Sequence, residues 1–253
     1  MCGSIQPLKI NYMRMKNLKC LAIIVICLSF SACIDGQFRR TIRGNHNVVR
    51  KEREAGSFSG LSVNTNIDVF LSQGDKTGIT VEADGNLHEY LVTEIRDDVL
   101  RVYFDANVIN AKASRIYLTM KDINYLSTSS SGDINGQTPV TTGPIKISSS
   151  SAGDIKLDIR AKDITVNCSS AGDITLSGET DRLDASLSSA GDLNAFDLTC
   201  KEAVVEVSSA GNADINVTGK LTARASSAGS INYKGDPAYL DARSSSAGGV
   251  HKR

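Results

Sequence analysis

The sequence contains no tryptophan, and aromatic residues make up only 5% of it. A sugar-stacking cleft built on indole rings is therefore excluded. There is no Cys-x-x-Cys pair and no Cys/His cluster with zinc spacing, which rules out a structural zinc module. Neither charge dominates, with 28 basic and 28 acidic side chains. Residues 1–32 hold four of the basic ones and none of the acidic ones, so the rest of the chain carries 24 against 28, a formal −4. A nucleic-acid binder needs a basic face, and this balance argues against one. The longest apolar run, Leu21 to Phe30, is too short to cross a bilayer.

That run has another meaning. Arg14, Lys16 and Lys19 precede it and small residues follow, the pattern of an export signal, with translation starting at Met1, Met13 or Met15. It ends in Phe-Ser-Ala-Cys, placing Cys33 where bacterial lipoproteins carry the acylated cysteine, although Phe30 stands where leucine is usual. Plain secretory cleavage after Ala32 is the alternative. The expected layout is a removed signal peptide over 1–32, a lipid-anchored tether over 33–45 and a head over 46–250. Ile34, not Asp, follows Cys33, so the outer membrane is the expected site of the anchor, with either leaflet open. Of the cysteines past the anchor, Cys168 falls on a core position and Cys200 at a distant turn, so both are expected to be free thiols.

The second half repeats. Gly132, Gly153, Gly172, Gly191, Gly211, Gly229 and Gly248 mark copies of Ser-Ser-Ala-Gly-Asp separated by 21, 19, 19, 20, 18 and 19 residues, the steadiness of a stacked array. Two and four residues after the marker sit apolar pairs such as Ile155 and Leu157 or Ile174 and Leu176, with Ile215 and Val217 displaced by an apparent insertion of Asn212 and Ala213. Eight, six and four residues before it a second set alternates, as in Ile164, Val166 and Cys168. Two inward-facing strands per period leave no room for a helix. The predicted fold is all-β, a right-handed parallel β-helix with coils of about 19 residues over 129–250, preceded by a less regular β-rich part over 46–128 with a short helix near 85–95.

The markers read as turn glycines, needed for positive φ or for close approach of neighbouring backbones. If inward parity runs into the bend, Ser151, Ser170, Ser189, Ser209 and Ser227 form an inward ladder of hydroxyls, each bonded to the next. Asp133, Asp154, Asp173 and Asp192 follow the glycines. At coil spacing in water, neighbouring carboxylates repel by only about 0.8 kcal/mol, so a solvated row is tolerable. It reads as turn-capping aspartates in preference to a metal site, and it is the only candidate for cations. His46, His88 and His251 lie apart and read as surface residues.

The order SFSGLSVNTNIDVFLSQGDKTGITVEADGNLHEYLVTEI, then DDVLRV, then Gly and Asp repeats, resembles the head GIN domain family of autotransporter adhesins common in Bacteroidetes lipoproteins. The resemblance covers about residues 46–250 and implies a β-helical envelope head, with no ligand residues to carry over. Three functions stay open: a non-catalytic head for adhesion or glycan binding, an envelope structural or sensory component binding a protein partner, and a polysaccharide-active enzyme. The last lacks an acid or base that breaks the repeat, so no catalytic residue and no cofactor is expected.

Overall fold

The computed structural model describes residues 40–253; the expected signal peptide, Cys33 and most of the tether lie outside them. Strand makes up 68% of the described chain. In the N-terminal part these are β1 (Thr41–Arg43), β2 (Val48–Arg53), β3 (Gly60–Asn64), β4 (Asp68–Gln73), β5 (Gly78–Asp84), β6 (Leu91–Arg96), β7 (Val99–Phe104), β8 (Asn107–Ile109) and β9 (Ser114–Met120). The repeat supplies β10 (Tyr125–Ser129), β11 (Asp133–Gly136), β12 (Val140–Ser149), β13 (Asp154–Ser169), β14 (Asp173–Ser188), β15 (Asp192–Val207), β16 (Asn212–Ala225), β17 (Ser230–Lys234), β18 (Tyr239–Ser244) and β19 (Gly249–Lys252). Successive coils pair in parallel, as in Ile155 on Ile174 and Val166 on Ala185. This is the expected β-solenoid, with about seven turns.

Its core is a set of vertical ladders. Ile155, Ile174, Leu193, Ala213 and Ile231 stack in one, all nearly inaccessible to solvent, and Ile164, Leu183, Ala203 and Leu221 in another. Each large aliphatic side chain buried this way contributes roughly 1.5–3 kcal/mol. Small rungs such as Ala203 and Ala213 interrupt the large ones, leaving room for facing side chains to interdigitate.

The register corrects three expectations. Asn212 and Ala213 are not inserted, because they stack on Asp192 and Leu193. The irregularity lies one coil earlier, where the pairing skips from Ala195 to Thr199. That bulge turns Cys200 inward: it is fully buried rather than at an outer turn, and burial pushes its thiol up to about 12, as it does for Cys168. Both cysteines are free and unreactive as thiols. The polar segment 177–180 is a bend inside the continuous strand β14, with Gly178 at φ 111°.

The N-terminal part is threaded out of order. The coil made by β3 and β4 lies between β7 and β9 on one side and β10 and β11 on the other. Antiparallel pairs β2–β5, β5–β9 and β6–β7 then close this end of the column. The expected helix is only a 3₁₀ turn, Gly85–Leu87, followed shortly by β6, because Leu91 to Arg96 pair with β7 as an extended strand. β1 pairs with β8 and so draws residues 41–43 of the expected tether into the fold. His88 is buried, with Nε2 3.0 Å from the Val49 carbonyl, whereas His46 and His251 are exposed.

The corner of each coil differs most from expectation. Positive φ falls on the serine and alanine before the glycine, for example 52° at Ser189 and 63° at Ala190. The glycine N–H closes the turn on the carbonyl three residues back, as Gly191 does on Ser188 at 3.0 Å, the arrangement of a type I′ turn. The turns also bond one another, Ala171 N–H donating to the Ser189 carbonyl at 3.2 Å. Ser151, Ser170, Ser189, Ser209 and Ser227 therefore point outward and are exposed, so the inward ladder is overturned. Left-handed backbone at two consecutive residues rotates the chain away from the parity of the strand. The buried polar row sits two positions earlier: Thr128 and Ser149 donate their hydroxyls to the carbonyls of Gly132 and Gly153, and the Cys168 thiol lies 2.9 Å from the Gly172 carbonyl.

An alanine held left-handed is strained by roughly 1–2 kcal/mol, partly offset in a glycine variant by about 0.5–1 kcal/mol of added chain entropy. Ala190 is exposed, so glycine forfeits little burial there. Ala190→Gly is expected to raise the midpoint of thermal unfolding by about 2 °C; a fall would show that the corner is not strained.

Candidate functional site

The two outer faces beside the corner carry the polar groups. On the face after the turn, the row Asp133, Asp154, Asp173 and Asp192 is in register, rung on rung. The structure adds a fifth member: Asp68 stacks on Asp133, with Arg115 beyond it. Asp68 carries no Ser-Ala-Gly signal, and only its place before Val69 in Asn-Ile-Asp-Val betrays it in the sequence. Asn212 continues the row at the other end. Two residues further along each strand a second row holds Asn135, Lys156, Thr175, Asn194 and Asp214. Between the rows runs a shallow groove of about 420 Å³.

The carboxylates are nearly unsupported. Asp133 accepts the Asp154 N–H at 3.3 Å, but among the described residues the side chains of Asp154 and Asp173 take part in no hydrogen bond or ion pair, so the turn-capping role is not general. Partial burial and then the Asp173 charge raise the Asp154 carboxyl above its ordinary value. Asp133 is raised by burial and then by Asp154, with Asp68 adding to it, and Asp192 by burial and then by Asp173. A different row of the column alternates in charge. Asp163, Arg182, Glu202 and Lys220 alternate in sign along one row, and Arg160 pairs with Glu179 at 3.3 Å. Among the described residues no three His, Cys, Asp or Glu side chains converge as a metal set would.

The face before the turn carries a larger groove of about 960 Å³. One wall is the row Ser169, Ser188, Ser208, Ser226 and Ser245, and the other includes Glu206, Arg224 and Arg243. The marker glycines lie under the corner between the grooves. Gly132, Gly153, Gly172, Gly191, Gly211 and Gly229 are buried and Gly248 half-buried; none has positive φ, so close approach of neighbouring backbones is what requires them. The aromatic pair Phe70 and Tyr117 is stacked at 5.2 Å, with Arg50 5.2 Å from the tyrosine ring centre, so these ring faces cover one another.

Residues 57–237 match the family described as "Putative auto-transporter adhesin, head GIN domain". No curated protein matches the chain. Among solved structures, a "putative adhesin" from Bacteroides fragilis NCTC 9343 superimposes with a TM-score of 0.78 at 20% identity, over 84% of this chain and 100% of that one. A "putative lipid binding protein" from Parabacteroides distasonis ATCC 8503 gives 0.71 at 23% identity, over 85% and 100%. A "putative adhesin" from Parabacteroides merdae ATCC 43184 gives 0.67 at 21%, over 85% and 99%. At these identities the likeness is one of fold. With the family match spanning most of the described residues, the chain belongs to the head GIN domain family of auto-transporter adhesins.

Proposed function

We propose that this protein is a non-catalytic binding module of the cell envelope, anchored to the outer membrane by a lipid on Cys33, and that its column holds a glycan along the Asp and Asn rows. The carrying observation is the unbalanced acid row. Asp68, Asp133, Asp154, Asp173 and Asp192 keep like charges at coil spacing, whereas the row Asp163, Arg182, Glu202 and Lys220 on the same column alternates in sign. A like-charged row with little local support marks a functional surface. Carboxylates are acceptors and side-chain amides supply both donors and acceptors, the combination that vicinal sugar hydroxyls need. Repetition at about 4.8 Å presents these groups to an extended chain rather than to a small molecule.

The adhesin names of the family and of the neighbours support a binding role at the envelope. Partner capture by strand addition is the competing outcome, and a shared experiment separates the two. The full chain and its Asp154→Asn/Asp173→Asn variant are applied to an array of neutral and acidic oligosaccharides and to envelope extract. Discrete glycan signals that fall at least tenfold in the variant support the reading. Blank glycans with a protein captured equally by both forms overturn it.

Stability should move the other way. Because the Asp154 carboxyl is raised in the folded protein, its ionisation opposes folding at neutral pH and ceases to do so as pH falls through that raised value. The row is open to solvent, which screens most of the repulsion. Asp154→Asn is expected to gain about 0.5 kcal/mol at pH 7, a rise of about 1–2 °C, with the gain vanishing towards about pH 3. A loss of stability at neutral pH would mean that the row is structural.

A further inference from the structure

The larger groove ends at two stacked arginines. Arg224 and Arg243 are neighbours in register on consecutive coils. They share one carboxylate: Arg224 Nη2 donates to Asp241 Oδ2 at 3.2 Å and Arg243 Nε donates to Asp241 Oδ1 at 3.1 Å. Arg224 Nη1 is covered by the surrounding atoms and has no hydrogen-bond partner. An unpaired guanidinium N–H costs free energy until an acceptor reaches it, and Arg243, with its side chain 72% exposed, engages Asp241 through Nε alone. Both arginines line the groove beside Ser226, Ser244 and Ser245, whose hydroxyls bond nothing among the described residues.

The geometry points to a carboxylate subsite at Arg224 and Arg243, which makes the larger groove a site for a glycan chain bearing a uronic acid. The inference rests on the reading of the column as a glycan binder and adds a second groove and an acidic substituent to it. A guanidinium fork matches a carboxylate with two parallel bonds, and a second fork one coil away adds its charge to the same anion. Glu206 occupies the preceding rung of the same row and repels a second carboxylate there. The groove therefore takes a sparsely charged chain, with sugar hydroxyls on the serine rungs and the acid at the arginine end.

The test uses the full chain, a xylo-oligosaccharide bearing one glucuronate, and the same oligomer with that carboxyl reduced to the alcohol. Titration calorimetry is expected to show at least tenfold tighter binding of the acidic oligomer. In the Arg224→Gln/Arg243→Gln variant the two oligomers should bind alike, at the neutral affinity of the unaltered protein. Circular dichroism checks the fold, and Arg243→Gln alone, which leaves the Arg224–Asp241 pair intact, should lose part of the preference. Equal binding of both oligomers by the unaltered protein overturns this inference and leaves glycan binding standing. Binding of neither overturns both. A preference that survives in the double variant, or an arginine-dependent response only to inorganic phosphate or to phosphatidylglycerol vesicles, overturns the uronate assignment.

Discussion

Asp84→Ala is expected to cost about 3–5 kcal/mol, enough to lower the thermal midpoint by roughly 10 °C. Asp84 is completely buried at the capped end of the column. Its Oδ2 accepts the His46 N–H at 2.8 Å, and its Oδ1 accepts the N–H groups of Lys112 and Ala113, both at 3.1 Å. One carboxylate thus ties the loop after β1 and the loop after β8 to the end of β5. Alanine would leave three backbone donors without their acceptor at a completely buried position. The Asp84→Asn variant keeps one oxygen but turns an amide NH₂ towards a donor, so its stability should fall between those of the alanine variant and the unaltered protein. Burial alone would raise this carboxyl, but the bonds from His46, Lys112 and Ala113 prevail and hold it below the ordinary aspartate range. A carboxyl depressed in the folded state stabilises above its unfolded value, near about 3.9, and that contribution is lost as pH falls further. Urea unfolding followed from neutral pH into strong acid should therefore show a shallower acid limb in Asp84→Asn than in the unaltered protein. Equal slopes and equal midpoints would show that the loops are held by something else.

Gly191→Ala is the second large expected effect. A Cβ at this position would lie 2.7 Å from both the carbonyl carbon and the oxygen of Cys168 and 2.9 Å from the Ser169 nitrogen. Every one of these atoms is backbone of the coil beneath, so no rotamer change relieves the contact, and the rungs must part where the turns hydrogen-bond one another. A loss of about 2–3 kcal/mol follows, or roughly 5–10 °C. Gly211 offers a milder comparison, since its Cβ would meet the Gly191 oxygen at 3.1 Å and a methyl of Val207 at 3.2 Å. At Gly143 nothing lies within 4 Å, and alanine there should be neutral or slightly stabilising. The order of the three variants is the measurement: if all behave alike, the glycines are there for backbone freedom and not for close approach.

The corner shows why a correct period can still yield a wrong rung. Spacing and alternation are local properties, and they placed Ile155, Leu157, Ile164, Val166 and Cys168 inside, where they are. The same alternation carried one step too far put Ser189 inside, because nothing in Ser-Ser-Ala-Gly declares which residues turn left-handed. Glycine is the usual choice for positive φ, yet here it fills the narrow gap between coils, and serine and alanine accept the strained angles instead. The aspartate row was visible as a periodicity, while its fifth member, Asp68, comes from a segment without the repeat.

Residue order alone was enough for the solenoid with its coil length, the inward faces of the strands and the existence of an acid row. These follow from side-chain parity and from a period, which need no knowledge of which coil touches which. The folded chain was needed to show that β3 and β4 sit between later strands, that Asp84 gathers two distant loops, that the corner serines face outward, and that Arg224 and Arg243 share Asp241. Each of those depends on stacking between segments far apart in the chain or on a backbone angle at a turn. Hydrogen bonds across rungs set that stacking, and the order of residues along one strand does not encode it.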